Sequence, residues 1–133
     1  MLVTVLLADD SEIMRRAIRN LLRKASEIRI VGEAATFAET IRMSGELKPH
    51  VVIMDVHMPD ETVVTPSQLK TCVESLGSQV LAISYSVDDD TATLAASFGA
   101  VKLLDKMKLA DNLIPAITHC AGGAAKESPL YGA

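Results

Sequence analysis

Four short apolar runs in this sequence end in side chains that can do chemistry. The residues, each with its preceding run, are Asp9 and Asp10 after LVTVLLA, Asp55 after VVIM, Ser84 after QVLAI, and Asp105 and Lys106 after VKLL. Moving an ionised carboxylate away from water is costly unless its charge is paired. Acids at the ends of buried-looking segments therefore indicate either structural turns or a functional site.

Each of these residues alone has an ordinary structural explanation. An acid pair after a strand often caps a helix, and Asp55 could form a turn before Pro59. Ser84 is typical of a turn hydroxyl, and Lys106 of a solvated surface lysine. Their combination is more informative, because the carboxylates of Asp9, Asp10 and Asp55, a hydroxyl and an ammonium rarely follow four such runs by chance.

The apolar runs alternate with helical patterns. We predict strands over 2–8, 28–34, 51–55, 79–84 and 101–105, and helices over 11–25, 36–47, 65–77, 89–98 and 109–120. Apolar stripes of period 3.6 indicate the helices, and Asp10 or Ser11 can cap the first of them. Five strand–helix units predict an α/β protein with one parallel sheet.

The predicted sheet brings the chemical residues together. The carboxyl ends of parallel strands meet at one edge, where open α/β proteins bind ligands. Asp9, Asp10 and Asp55 would repel one another there, so the site either takes up protons or holds a divalent cation such as Mg²⁺. With Ser84 and Lys106 beside it, the site would suit phosphoryl transfer, with Asp55 as the nucleophile that forms an acyl phosphate.

Composition narrows the classes of function. The chain has 133 residues, 49% of them apolar, and a net charge of −4, and its length predicts one domain. The small and Gly-rich segment after Cys120 predicts that this domain covers 1–121 and that 122–133 is a linker or C-terminal tail. No basic run indicates direct nucleic-acid contact, and no apolar run approaches the ~20 residues that span a membrane. Two cysteines fit neither a disulfide framework nor a zinc site. The N-terminus lacks a signal-peptide pattern, so we expect a cytoplasmic protein.

Four segments carry a resemblance to a known family: LLADDSEIMRRAIRNLL, KPHVVIMDVHMPD, VLAISYS and FGAVKLLDK. Over about residues 2–121 the sequence resembles the receiver domain of two-component response regulators, particularly receivers that precede a LuxR-type helix-turn-helix output domain. The resemblance implies a flavodoxin-like, doubly wound five-stranded parallel sheet of order 2-1-3-4-5 with five helices. It implies a phosphoacceptor signalling domain that regulates transcription through an output domain outside this chain, and not an enzyme beyond its own phosphorylation and dephosphorylation.

The resemblance also implies a role for each site residue. Asp55 would accept the phosphoryl group from a phosphohistidine on a sensor histidine kinase or phosphotransfer protein. The implied Mg²⁺ ligands are Asp9, Asp10, Asp55 and the backbone carbonyl of His57. Ser84 would move toward the phosphoryl group, and Lys106 would pair with it. The face formed by helix 4, strand 5 and helix 5 (about 88–121) would then change and meet an output domain or the second chain of a homodimer.

Four positions depart from the family pattern. Leu103 stands where an aromatic switch residue is usual, and the loop DETVVTP (60–66) lacks the usual glycines. Met107 replaces a proline that usually follows the lysine in a cis bond; a cis non-proline bond costs about 2.5–4 kcal/mol, so we expect a trans bond. Bulky Tyr85 replaces a small residue. Its ring either slows water attack on the acyl phosphate, or packs on helix 4 or faces a dimer partner.

Two other interpretations remain open from the sequence. A phosphohydrolase with an aspartyl intermediate usually carries a nucleophilic Asp after its first strand and a second Asp two residues later, whereas Asp9 and Asp10 are adjacent. A degenerate receiver would serve only as a scaffold. The complete set of key polar residues argues against a scaffold. That alternative stays open because Leu103 and Tyr85 depart from the family pattern.

Overall fold

Strands and helices alternate along the chain in the computed structural model, which describes residues 2–126 and the side chains as far as residue 121. The strands are β1 (Val3–Ala8), β2 (Ile28–Ala34), β3 (Val51–Asp55), β4 (Gln79–Ser84) and β5 (Ala100–Asp105). The α-helices are α1 (Glu12–Leu22), α2 (Phe37–Leu47), α3 (Pro66–Leu76), α4 (Asp89–Ser97) and α5 (Leu109–Lys126), and a 3-10 turn at Lys106–Lys108 precedes α5.

All five strands are parallel and form one sheet in the order β2-β1-β3-β4-β5. This order confirms the predicted doubly wound, flavodoxin-like α/β fold with five helices. Because the strands are parallel, their carboxyl ends lie at the same edge of the sheet. The described backbone contains no cis peptide bond, so the Lys106–Met107 bond is trans, as expected.

The sheet is covered by helices on both faces. One apolar cluster joins Leu7 and Ile53 to Ile18 of α1 and Leu113 of α5. The other, on the opposite face, is formed by residues of the same strands with α2, α3 and α4, including Leu6, Val52, Phe37, Leu69 and Ala95. Every residue of β3 is buried. Burial on both faces explains why the central runs are continuously apolar, since neither face of these strands meets water.

Polar side chains cap the first turns of α1 and α3. The hydroxyl of Ser11, rather than Asp10, accepts from the amide of Met14 and so caps α1. Thr65 caps α3 in a reciprocal capping box with Gln68. Gly77 ends α3 with φ 74°, a left-handed conformation that glycine adopts without strain.

Two predicted helix ends were wrong. Helix α1 ends at Leu22 and not at Ala25. Helix α5 continues to Lys126, whereas the sequence predicted its end at Cys120. The pair Gly122–Gly123 favours a linker, but each glycine costs a helix only about 1 kcal/mol and alanines flank the pair. The predicted tail beyond Lys126 lies outside the described residues, and the domain boundary at 121 stays a prediction.

Membrane-spanning character is absent from the described helices. Across residues 2–126 we find no helix with both the length and the apolar character that crossing a bilayer requires.

Candidate functional site

Pairing of neighbouring strands places the acidic residues side by side. Ala8 of β1 pairs with Met54 of β3, so Asp9 and Asp55, the next residues in the chain, are neighbours at the carboxyl edge. Asp9 is fully buried, Asp55 is 7% exposed and Asp10 is exposed. One carboxylate oxygen from each of the three lies within 4.8 Å of the other two. The structure therefore gathers the three carboxylates that the sequence placed at this edge.

Backbone amides orient two of these carboxylates. The amide of Ser11 donates to Oδ1 of Asp9 at 2.8 Å, and the amide of His57 donates to Oδ1 of Asp55 at 2.9 Å. In both cases the donor lies two residues further along the chain, so the local turn itself sets the side-chain direction. Oδ2 of each carboxylate is left to make a second interaction.

The second interaction of both carboxylates is with Lys106. Its Nζ lies 2.6 Å from Oδ2 of Asp55, with which it forms a hydrogen bond, and 2.9 Å from Oδ2 of Asp9. The lysine side chain is only 6% exposed. Lys106 follows β5, so it reaches past the end of β4 to join Asp55, the last residue of β3, and Asp9, which follows β1. The predicted convergence of Lys106 with the acids is present.

The pocket holds more negative than positive charge. Burial raises the pKa of the Asp55 carboxyl above its usual 3.8 and the charge of Asp9 adds to the rise, although Lys106 and the His57 amide oppose it. Burial disfavours the charge of Lys106, but its interactions with the carboxylates of Asp55 and Asp9 outweigh burial and raise the pKa of the ammonium above its usual 10.5. Both pKa values are raised because two buried carboxylates share one ammonium: its charge is stabilised by both acids, and it only partly offsets the burial of Asp55. A further positive charge would stabilise the pocket.

These residues fit a divalent cation of the Mg²⁺ type. Three carboxylates supply hard oxygen ligands in small number, which leaves room for water in the coordination shell. Oδ2 of Asp9 is buried and, apart from its ion pair with Lys106, has no hydrogen-bond partner among the described residues. A buried carboxylate oxygen without a hydrogen bond is costly. The donor chemistry and this oxygen both suit a bound cation.

Ser84 is the last residue of β4 and directly follows Ile83, the register partner of Asp55. Ser84 is 6% exposed and its register partner on β5 is Asp105. Its hydroxyl oxygen accepts from the amide of Ser86 at 3.1 Å. The hydroxyl is therefore engaged in the turn that leads to α4.

Tyr85 lies over the lysine. The centroid of its ring is 5.0 Å from Nζ of Lys106, within cation–π range, while 64% of the residue is exposed. The side chain of His57 points to solvent and its Nδ1 lies 2.8 Å from Oε1 of Glu61. Leu103 is half-buried and packs against the apolar cluster that includes Phe37 and Leu69. Of these three side chains, only that of Tyr85 approaches a residue of the pocket.

Sequence reasoning missed Arg15, which contacts the pocket, and Asp60, which anchors the loop after β3. Arg15 of α1 donates to the backbone carbonyl of Asp9 at 2.5 Å. Asp60 accepts from the amides of Phe37 and Ala38 at 2.8 and 2.9 Å, which ties the loop after β3 to the start of α2. Nothing in the local sequence pattern marks either residue, since both act on distant or backbone groups.

Comparisons with known proteins agree with this geometry. The Transcriptional regulatory protein LiaR of Bacillus subtilis is 29% identical over 132 residues, which is 98% of this chain and 62% of LiaR. The Response regulator protein VraR of Staphylococcus aureus is 29% identical over 130 residues, 97% of this chain and 61% of VraR. The chain thus spans about three fifths of these relatives.

A solved structure gives the same result. The signal receiver domain of the putative response regulator NarL from Mycobacterium tuberculosis superposes with a TM-score of 0.81 at 27% identity, covering 92% of this chain and 98% of that one. Fold and pocket together define an α/β signalling domain with an acidic cluster and a lysine at the carboxyl edge of its sheet. The family model for the response regulator receiver domain matches residues 5–118, and the chain belongs to this family.

Proposed function

We propose that Asp55 is the phosphoacceptor of this receiver domain. A carboxylate oxygen of Asp55 attacks the phosphorus of a phosphohistidine on a sensor histidine kinase or phosphotransfer protein. The new O–P bond forms as the P–N bond breaks, and the imidazole leaves. Asp55 suits this role because it ends a fully buried strand, which fixes its backbone, and because one oxygen is held by the amide of His57.

The single observation that carries the proposal is the position of Lys106. Its ammonium contacts Oδ2 of Asp55, the oxygen that the His57 amide leaves free. The same ammonium can stay beside a phosphoryl group on Asp55 and stabilise its added negative charge. A lysine buried to this extent and shared by two acids is not a solvated surface residue.

Mg²⁺ would be held by the carboxylates of Asp9, Asp10 and Asp55 and by the backbone carbonyl of His57. When bound, the ion neutralises charge on the transferring phosphoryl oxygens. Asp9 would also keep Lys106 in place, because Lys106 remains paired to it if Asp55 changes partner. Ser84 would exchange its hydrogen bond to the Ser86 amide for one to the phosphoryl group.

The output of phosphorylation would be a change in the surface of α4, β5 and α5. Movement of Ser84 and Tyr85 would be passed to α4, whose first turn follows directly and begins at the exposed acids Asp88 and Asp89. We infer that this surface meets an output domain or a second copy of the chain, that the domain works in the cytoplasm, and that transcription is the process regulated. The name of LiaR as a transcriptional regulatory protein supports the last inference.

Acetyl phosphate tests the proposal directly. The protein is incubated with MgCl₂ and acetyl phosphate and then weighed by intact-protein mass spectrometry. We expect a gain of one phosphoryl group, with acetate as the leaving group, and no gain for Asp55→Asn. Asp105→Asn is the matched control, because it removes a strand-end acid that lies outside the acidic cluster, and it should be labelled like the wild type.

The same experiment separates the alternatives. A degenerate receiver scaffold would gain no mass, and a phosphohydrolase would consume acetyl phosphate through many rapid turnovers without accumulating a phosphorylated form. Labelling that persists in Asp55→Asn would show that another residue is the acceptor.

A further inference from the structure

An ion-pair network links the acidic turn to the neighbouring edge strand. Nη1 of Arg15 donates to the carbonyl oxygen of Asp9 at 2.5 Å, and Nε of Arg15 donates to Oε1 of Glu33 in β2 at 3.0 Å. Arg19, one helical turn later, donates to both carboxylate oxygens of Glu33 at 2.7 and 2.6 Å. Arg15 is 15% exposed at its side chain, so these bonds are partly shielded from water.

This network fixes the backbone of Asp9 from two directions. The Asp9 amide donates to the carbonyl of Ala34 at 3.0 Å, which continues the ladder of β1 and β2 beyond the strands. The Asp9 carbonyl accepts from Arg15, which is itself anchored on Glu33. With the peptide groups on both sides of its Cα held, the Asp9 side chain has little freedom besides its own rotamer. Asp10 is the next residue of the same turn, and the peptide group that joins it to Asp9 is the one that Arg15 binds.

We propose that Arg15 is a positioning residue for the divalent-cation site. It orients the Asp9–Asp10 turn by donating a hydrogen bond to the Asp9 carbonyl. Glu33, which is itself bound by Arg19, holds the guanidinium in place. This inference rests on the proposed function, because it assumes that the acidic cluster binds Mg²⁺. Arg15 contacts the backbone carbonyl of Asp9 and makes no ion pair with a carboxylate of the acidic cluster, so its effect passes through the backbone of Asp9.

Charge and position predict opposite effects for Arg15. As a cation near the pocket, Arg15 repels a second cation, so removing its charge should strengthen Mg²⁺ binding. As a positioning residue, it supports the geometry of the ligands, so its removal should weaken binding. The sign of the change therefore distinguishes the two roles.

The Mg²⁺ affinity is measured by isothermal titration calorimetry, in which the whole chain is titrated with MgCl₂ at constant ionic strength. We expect Arg15→Met to weaken Mg²⁺ binding about tenfold, the effect typical of removing a group that orients a metal ligand. The matched control is Arg16→Met, which removes the same charge from the adjacent exposed residue, outside these ion pairs; it should change the affinity by less than about twofold. Unchanged or tighter binding by Arg15→Met would overturn the proposal.

A second variant, Arg15→Lys, tests the proposal if Arg15→Met fails to fold. Arg15→Met should fold, since Glu33 keeps its bonds to Arg19. If it does not, Arg15→Lys keeps the charge but cannot bond Asp9 and Glu33 with one planar fork. Weaker Mg²⁺ binding by Arg15→Lys, with a shifted NMR signal of the Ser11 amide, supports positioning, and wild-type behaviour refutes it. A wild-type protein that binds no Mg²⁺ would instead refute the proposed function.

Discussion

Lys106 Nζ lies between Oδ2 of Asp55, 2.6 Å away, and Oδ2 of Asp9, 2.9 Å away. One ammonium thus serves two buried carboxylates that come from different strands. The arrangement leaves the pocket with an excess of negative charge, which a proton or a metal ion can offset.

Asp55→Asn should stabilise the Mg²⁺-free protein at neutral pH. The raised pKa of Asp55 means that the folded protein holds this proton to higher pH than the unfolded chain does. The contribution of Asp55 to stability is therefore present below its unfolded pKa of 3.8 and is lost as pH rises through the folded pKa. Asparagine carries no such penalty, so we expect Tm to rise by roughly 3–5 °C, corresponding to about 1 kcal/mol.

The pH dependence checks the cause of this stabilisation. Urea unfolding of both proteins, followed by circular dichroism in EDTA, should show a gap in unfolding free energy that is small near pH 4, grows as the pH rises and then levels off. A gap that stays constant over this range would show that the carboxylate charge is not its source.

Lys106→Met should bind Mg²⁺ more tightly than the wild type while accepting phosphate poorly. The substitution removes the ammonium that would compete with a metal ion for the carboxylates of Asp9 and Asp55. We therefore expect the Mg²⁺ affinity to rise about tenfold, equivalent to about 1.4 kcal/mol. It also removes the charge proposed to stabilise the phosphoryl group, so labelling by acetyl phosphate should slow by at least about a hundredfold. Calorimetry and mass spectrometry measure the two effects.

Lys108→Met is the matched control for Lys106. It removes an exposed lysine from the same 3-10 turn. Equal Mg²⁺ affinities for the two variants would argue that Lys106 does not compete with the metal.

Tyr85→Ala should shorten the lifetime of the phosphorylated state. The tyrosine ring lies 5.0 Å from the Lys106 ammonium, where it would shield a phosphoryl group on Asp55 from attacking water. Tyr85→Phe keeps the ring and removes only the hydroxyl, so its lifetime should match that of the wild type. Loss of the phosphoryl mass after removal of acetyl phosphate gives the rates. If alanine and phenylalanine variants hydrolyse at the same rate, the ring provides no shield.

Asp60→Asn should destabilise the fold by about 1 kcal/mol. The Asp60 carboxylate accepts from the amides of Phe37 and Ala38, and Thr36 accepts from that of Glu39, so three donors in the first turn of α2 are satisfied. The amide of asparagine offers one acceptor oxygen and no charge to the positive end of the helix. Glu61→Gln, at the adjacent exposed acid, should cost much less when both are compared by urea unfolding.

The strands and the acidic cluster could be predicted from the sequence because local rules determine them. The predicted bounds of β2, β3 and β4 agree residue for residue with the structure. For β3 and β4 the reason is that strands buried on both faces need nearly continuous apolar runs. Once the strands were in place, parallel order alone put Asp9, Asp55 and Lys106 at one edge.

The supporting contacts could not be predicted, because they depend on how distant segments pack. Glu33 lies 18 positions from Arg15, and Asp60 lies 23 positions from Phe37. No periodicity or motif specifies which arginine of α1 points toward a strand end. The bulk of Tyr85 was visible in the sequence, but its approach to Lys106 depends on the turn between β4 and α4.

The order of the chain also bears on how the protein is made. Asp9 and Asp55 leave the ribosome long before Lys106, which follows the last strand of the sheet. Until that lysine emerges, closing the sheet would bury two acids with no counter-charge between them. Nascent chains that end before β5 should therefore stay open and accessible to chaperones, and the emergence of β5 with Lys106 would complete the sheet and the pocket together.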